Sequence, residues 1–167
     1  MSGDRHKEEC SMSAEIKQFV ERRTQSRDLI QKLVDARTNM LTLYGKLAEN
    51  HPFNKEDDIK NIGTLLQNFC NSLIDYTAEA HFHLYKHFAD NAERRQTVKT
   101  VAEQIYFRIA EITQTIVDFN DKYTKATTSP EELDQDLSKL GEILADRIEL
   151  EDQLIDAFSN ESAAATA

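Results

Sequence analysis

Three charged side chains occupy positions where helical spacing calls for apolar ones. At about 100° per residue, Arg37 projects with Leu33, Met40 and Tyr44, while Arg147 and Glu151 align with Leu140, Leu144 and Leu154. His81 and Tyr85, four residues apart, flank the apolar face that contains Leu73 and Ala80. A charge removed from water is costly unless it is paired. Arg37, His81, Tyr85, Arg147 and Glu151 are therefore expected to satisfy one another in an internal polar network. The same residues could instead line a polar cavity that binds a ligand or metal, or form a conformational switch.

Other groups offer less chemistry. His83 and His87 are four apart and could share a helix face, but two imidazoles do not complete a metal site. The ferritin-like pattern needs two Glu-x-x-His pairs, and the chain has none. There is no Gly-rich phosphate loop and no G-x-S-x-G elbow. Cys10 and Cys70 form no C-x-x-C pair, and Cys70 falls on an inward stripe without an obvious activating base. Neither enzymatic activity nor a metal or other cofactor is expected.

The outward face of the second helical block is more informative. Asp75 and Phe82 are seven residues apart and so lie within about 20° of each other. Both point away from Leu73 and Ala80, with Asn71, Ala78 and Glu79 on the same side and Ser72 at its edge. An aromatic anchor beside carboxylates is what a protein-binding patch requires. Asp75, Phe82, Ser72 and Glu79 are the candidate partner contacts.

These residues need helices to hold them. Four blocks of apolar residues repeat at helical spacing, running through Leu29–Leu47, Ile62–Phe88, Val98–Tyr123 and Leu133–Phe158. Only four glycines and two prolines interrupt the 167 residues, and 77 residues separate Pro52 from Pro130. Such sparse punctuation argues against an all-β chain. Ser129, Pro130 and Glu132 form a helix start of the capping-box type. The fold expected is all-α, an antiparallel four-helix bundle over residues 26–160. Residues 1–25 form an N-terminal extension, partly helical or flexible, with 14–23 a candidate short extra helix, and 161–167 a flexible tail.

The charge is uneven. Twenty bases and thirty acids give a net charge of -10. Residues 131–161 hold eleven acids and two bases, a net of -9, while the first 130 residues hold the remaining nineteen acids and eighteen bases, a net of -1. The acidity belongs to the fourth helix, and it disfavours direct contact with nucleic-acid phosphates. No stretch approaches the roughly 18 apolar residues of a membrane span, and the polar N-terminus shows no signal peptide. A cytoplasmic protein is expected.

The block Phe69-Cys70-Asn71-Ser72-Leu73-Ile74-Asp75-Tyr76, followed by Ala80-His81-Phe82-His83-Leu84-Tyr85, resembles the signature of the Rsd/AlgQ family of bacterial anti-sigma factors. A second block agrees with it: Leu140-Gly141-Glu142, Leu144, Arg147 and Leu150-Glu151-Asp152-Gln153-Leu154-Ile155. The resemblance spans roughly residues 27–158. It departs at Ala80, where the family commonly has Gly, and at Leu33, where an aromatic is usual. No counterpart of residues 1–25 is evident. The resemblance implies a helical bundle that binds the C-terminal promoter-reading domain of the primary sigma factor and withholds it from core RNA polymerase and promoter DNA; a 1:1 complex is the default expectation. It also implies that the aspartate of the family's L-[IV]-D-Y motif, here Asp75, lies at the sigma contact. The alternative is an acidic helical scaffold for another signalling or metabolic protein.

Overall fold

The computed structural model describes residues 3–53, 56–85, 96–125 and 129–164. Four long helices follow one another: α1 (Gly3–Ala48), α2 (Glu56–Ala78), α3 (Gln96–Lys125) and α4 (Pro130–Ala164). A π-helical segment, Glu79–Tyr85, continues directly from α2. The side chains of Cys10, His83, Leu84, His87, Phe88, Val98 and Phe158 lie outside the described set.

Spacing explains the packing. On α3, Ile105, Ile109, Ile112, Ile116, Phe119 and Tyr123 alternate steps of four and three and are all buried. On α4 the same alternation runs through Leu133, Leu137, Leu140, Leu144, Arg147, Glu151 and Leu154, every one buried. On α1, Ser26, Leu33, Met40 and Leu47 recur every seventh residue and are buried. Alternating three and four keeps one stripe facing the neighbouring helices, as in coiled-coil-like bundles.

Cross-helix contacts give the topology. α1 meets α2 through Tyr44 and Phe69, with ring centroids 5.8 Å apart, and through Asn39, which donates to Ser72 at 2.9 Å. Phe69 meets Phe119 of α3 at 6.2 Å, and Tyr123 of α3 donates to Asp136 of α4 at 2.7 Å. The hydroxyl of Tyr44 donates to the Leu137 carbonyl on α4 at 2.9 Å, which closes the ring of helices. The contacts run in opposite senses between neighbours, so the helices go up, down, up and down.

Two connections follow from local chemistry. Beyond α1, the chain turns through Asn50 N–H to Leu47 O and His51 N–H to Ala48 O, and Phe53 buries its ring beneath the turn. At the start of α4, the Ser129 hydroxyl accepts from Glu132 N–H at 3.2 Å, which is the capping bond expected at that position. Pro130 fills the first helical position, where a missing N–H costs nothing.

The N-terminal segment differs in form from a separate short helix. Residues 14–23 belong to α1, which runs unbroken for 46 residues, about 69 Å at 1.5 Å per residue. Among the residues of α1 whose side chains are described, Ser26 is the first buried one, and Ile16 and Val20 are exposed. With no Pro or internal Gly between Asp4 and Tyr44, nothing in the backbone interrupts the helix.

Candidate functional site

Glu151 is the centre of the buried polar cluster. It sits on the inward stripe of α4 with its side chain fully buried, as is that of Arg147 one turn earlier. Arg147 donates from Nε to Glu151 Oε1 at 2.9 Å and from Nη1 to Thr113 Oγ1 on α3 at 3.0 Å. Its guanidinium carbon stands 5.5 Å from the ring centroid of Tyr76, within cation–π range. Tyr76 of α2 donates its hydroxyl to Glu151 Oε2 at 2.6 Å. From α1, Arg37 reaches Glu151 Oε2 at 3.1 Å and Asp152 Oδ1 at 2.7 Å. All four helices thus contribute a polar group to one carboxylate or to the arginine beside it.

The electrostatics follow from this geometry. Burial opposes the charge of Arg37, but the hydrogen bond to Asp152 and the field of Glu151 outweigh it and hold the guanidinium above its ordinary range. Burial, reinforced by the negative field of Glu151, pushes the Tyr76 and Tyr85 phenols well above the usual tyrosine range. Burial raises the Cys70 thiol to about 11, so it stays protonated and unreactive at neutral pH.

The five residues expected in the network do not all join it by hydrogen bonds. Arg37, Arg147 and Glu151 come together. Tyr85 is buried close enough to feel their charges, but its hydroxyl has no hydrogen-bond partner among the described residues. His81 is half-buried and turns to aromatic neighbours instead, with Phe82 at 5.2 Å and Tyr106 at 6.4 Å between centroids. Tyr76, Thr113 and Asp152 take the remaining network contacts. Tyr76 was hidden because an apolar-stripe pattern counts its ring and ignores its hydroxyl.

The outward stripe lies at a groove between α1 and α2. Lys32, Asp35 and Ala36 of α1 line it with Asp75, Ala78, Glu79 and Phe82, around an open volume of about 450 Å³. Phe82 is 64% exposed. Asp75 is exposed, and Glu79 and Ala78 are half-buried. Ser72 is not on this surface. It is buried, and its Oγ accepts from Asn39 across the α1–α2 seam. Helical spacing alone puts Ser72 at the edge of the stripe, and the packing of α1 covers that edge. The α1 lining was missed because periodicity within one helix cannot say which residues of another face it.

Among the described residues, no group of three or more His, Cys, Asp or Glu side chains is arranged to hold a metal ion. No helix is long and apolar enough to cross a membrane, again among the described residues.

Fold and site together describe a helical bundle with an ion network centred on a buried Arg147–Glu151 pair and an acidic, aromatic-edged groove on its surface, the build of a protein-binding regulator. Residues 12–159 match the family model described as regulator of RNA polymerase sigma(70) subunit, Rsd/AlgQ. The chain belongs to the Rsd/AlgQ family. It is 34% identical over 134 residues to the regulator of sigma D of Yersinia pseudotuberculosis serotype O:1b, covering 78% of this chain and 79% of that protein. It is 35% identical over 131 residues to the regulator of sigma D of Pectobacterium atrosepticum, covering 76% and 85%. No solved structure gives a significant match. The family match begins at residue 12, within the segment that the sequence motifs left without a counterpart.

Proposed function

We propose that this chain is a cytoplasmic anti-sigma factor that binds the primary sigma factor of RNA polymerase, one to one, and sequesters it from the core enzyme. The convergence of Asp75, Glu79 and Phe82 on one open groove, in a chain of the Rsd/AlgQ family, carries this reading. The surface it engages is the C-terminal promoter-recognition domain. A domain that reads DNA presents basic side chains to phosphates and base edges. Carboxylates at the groove compete for those side chains, and the Phe82 ring supplies an apolar contact where water is excluded. The net -9 of residues 131–161 adds a long-range field that speeds encounter with a basic partner. No catalytic step is involved. Occupying the DNA-reading surface is sufficient, and neither nucleic acid nor membrane is a partner.

The domain that does this is 26–160, and the buried Arg37–Glu151–Arg147 network keeps its helices in register behind the groove. Asp75→Arg tests the assignment. Affinity for the isolated sigma C-terminal domain, measured by calorimetry, should fall at least about tenfold, or about 1.4 kcal/mol. Helical content and melting temperature should stay within error of the unaltered chain, because Asp75 is exposed. Binding should weaken as salt rises. Unchanged affinity would place the contact elsewhere on the bundle.

A further inference from the structure

The groove has two walls, and the second belongs to α1. Lys32, Asp35 and Ala36 face the same opening as Asp75, Ala78, Glu79 and Phe82. The Asn39–Ser72 hydrogen bond, 2.9 Å long, pins the two helices together nearby, so the walls keep a fixed separation. Ala36 and Ala78 are the small residues of the lining, and both are half-buried, which lets a partner side chain approach the backbone of either helix. Three carboxylates and one ammonium line the opening, a formal net of -2. Asp35 is oriented by Gln31, whose Nε2 donates to Oδ1 at 2.8 Å. Among the described residues neither Lys32 nor Asp75 has an ion-pair partner. The Lys32 and Asp75 charges are therefore open to a partner.

We infer that α1 forms the second wall of the sigma-binding groove, with Asp35 as a further carboxylate contact and Lys32 as the residue that limits affinity. This rests on the anti-sigma reading above. The occupant is a helical segment of the sigma factor that carries basic side chains. Such a segment meets attraction from Asp75, Glu79 and Asp35 and repulsion from Lys32. Specificity commonly combines an attractive and a repulsive element in this way. Lys32 disfavours any register that brings a cation against its part of α1. The cation is thereby directed toward the carboxylates.

The test compares four full-length proteins for affinity and association rate toward the sigma C-terminal domain: the unaltered chain, Lys32→Gln, Asp35→Asn and Asp75→Arg. Lys32→Gln should tighten binding at low salt by about two- to fivefold, the size of one exposed ion-pair interaction, mainly through faster association. A gain of this kind cannot come from misfolding. Asp35→Asn should weaken binding by a similar factor, and both effects should fade at high salt. Binding that responds to Asp75→Arg but not to Lys32→Gln or Asp35→Asn would overturn the α1 wall and leave the anti-sigma reading intact. An unaltered chain that does not bind the sigma domain would overturn both.

Discussion

The hydroxyl of Tyr76 donates to Oε2 of Glu151 across 2.6 Å, joining α2 to the centre of the buried ion network on α4. Tyr76 follows Asp75 directly, and about 100° of helical rotation turns one side chain into the core and leaves the other at the groove. The bond therefore fixes the rotation of α2 about its axis and, with it, the direction in which Asp75 faces. The acid and aromatic groups that meet the partner are held from behind by the residue next in sequence.

Replacing Glu151 by Gln keeps the shape of the network and removes its central charge. Arg147 would then be buried without a counterion, and Arg37 would retain only Asp152. Breaking a buried pair by removing one partner costs about 3–5 kcal/mol. Urea unfolding should show a midpoint lowered accordingly, with an unchanged slope if the unfolded ensemble is unaffected.

The buried phenols make the protein sensitive to alkali. Tyr76 and Tyr85 ionise well above the ordinary tyrosine range in the folded state, because burial and Glu151 oppose a second negative charge. Their contribution is complete below pH 10 and is lost as pH rises through the range between the unfolded and folded values. Within that range each group lowers the unfolding free energy by about 1.4 kcal/mol per pH unit. Tyr76→Phe should make the decline of stability above pH 10 measurably shallower in urea titrations.

At neutral pH the same approach separates packing from hydrogen bonding at Gly141. A Cβ at this position would collide with the Tyr44 hydroxyl and come within 3.1 Å of its ring carbon Cζ. Tyr44 cannot retreat freely, since it donates to the Leu137 carbonyl and its ring lies against Phe69. Gly141→Ala should therefore lower stability by about 1–3 kcal/mol through overpacking, reduced by about 1 kcal/mol from better helix propensity. Tyr44→Phe removes the colliding oxygen. In a double-mutant cycle measured by urea unfolding, the pair should be less destabilised than the sum of the single variants, by at least about 0.5 kcal/mol.

Much of the fold was legible because helical burial leaves a repeating mark. The alternating steps of three and four on α3 and α4 located their inward faces, and the Ser129 cap marked the start of α4 to the residue. Placing Arg147 and Glu151 inside followed from the same repeat. The limits of that legibility are equally local. Spacing of about 100° per residue describes α-helical turns, whereas the π-helical turns of residues 79–85 hold more residues and shift each following side chain. His81 consequently meets Phe82 and Tyr106 and makes no hydrogen bond to the ion network among the described residues.

By itself, then, the sequence determined that the chain is helical, which apolar stripe of each helix faces inward, that the acidity is concentrated in the last helix, and which motif carries Asp75. The tertiary structure alone decided that Ser72 is covered by α1, that Lys32 and Asp35 share a groove with Asp75, and that Tyr76, Thr113 and Asp152 complete the network around Glu151. Periodicity records how each helix faces the interior as a whole. Which side chain of a second helix stands opposite depends on the rotation and axial register of two helices packed together, and those are set by contacts between residues 13 to 115 positions apart in the chain.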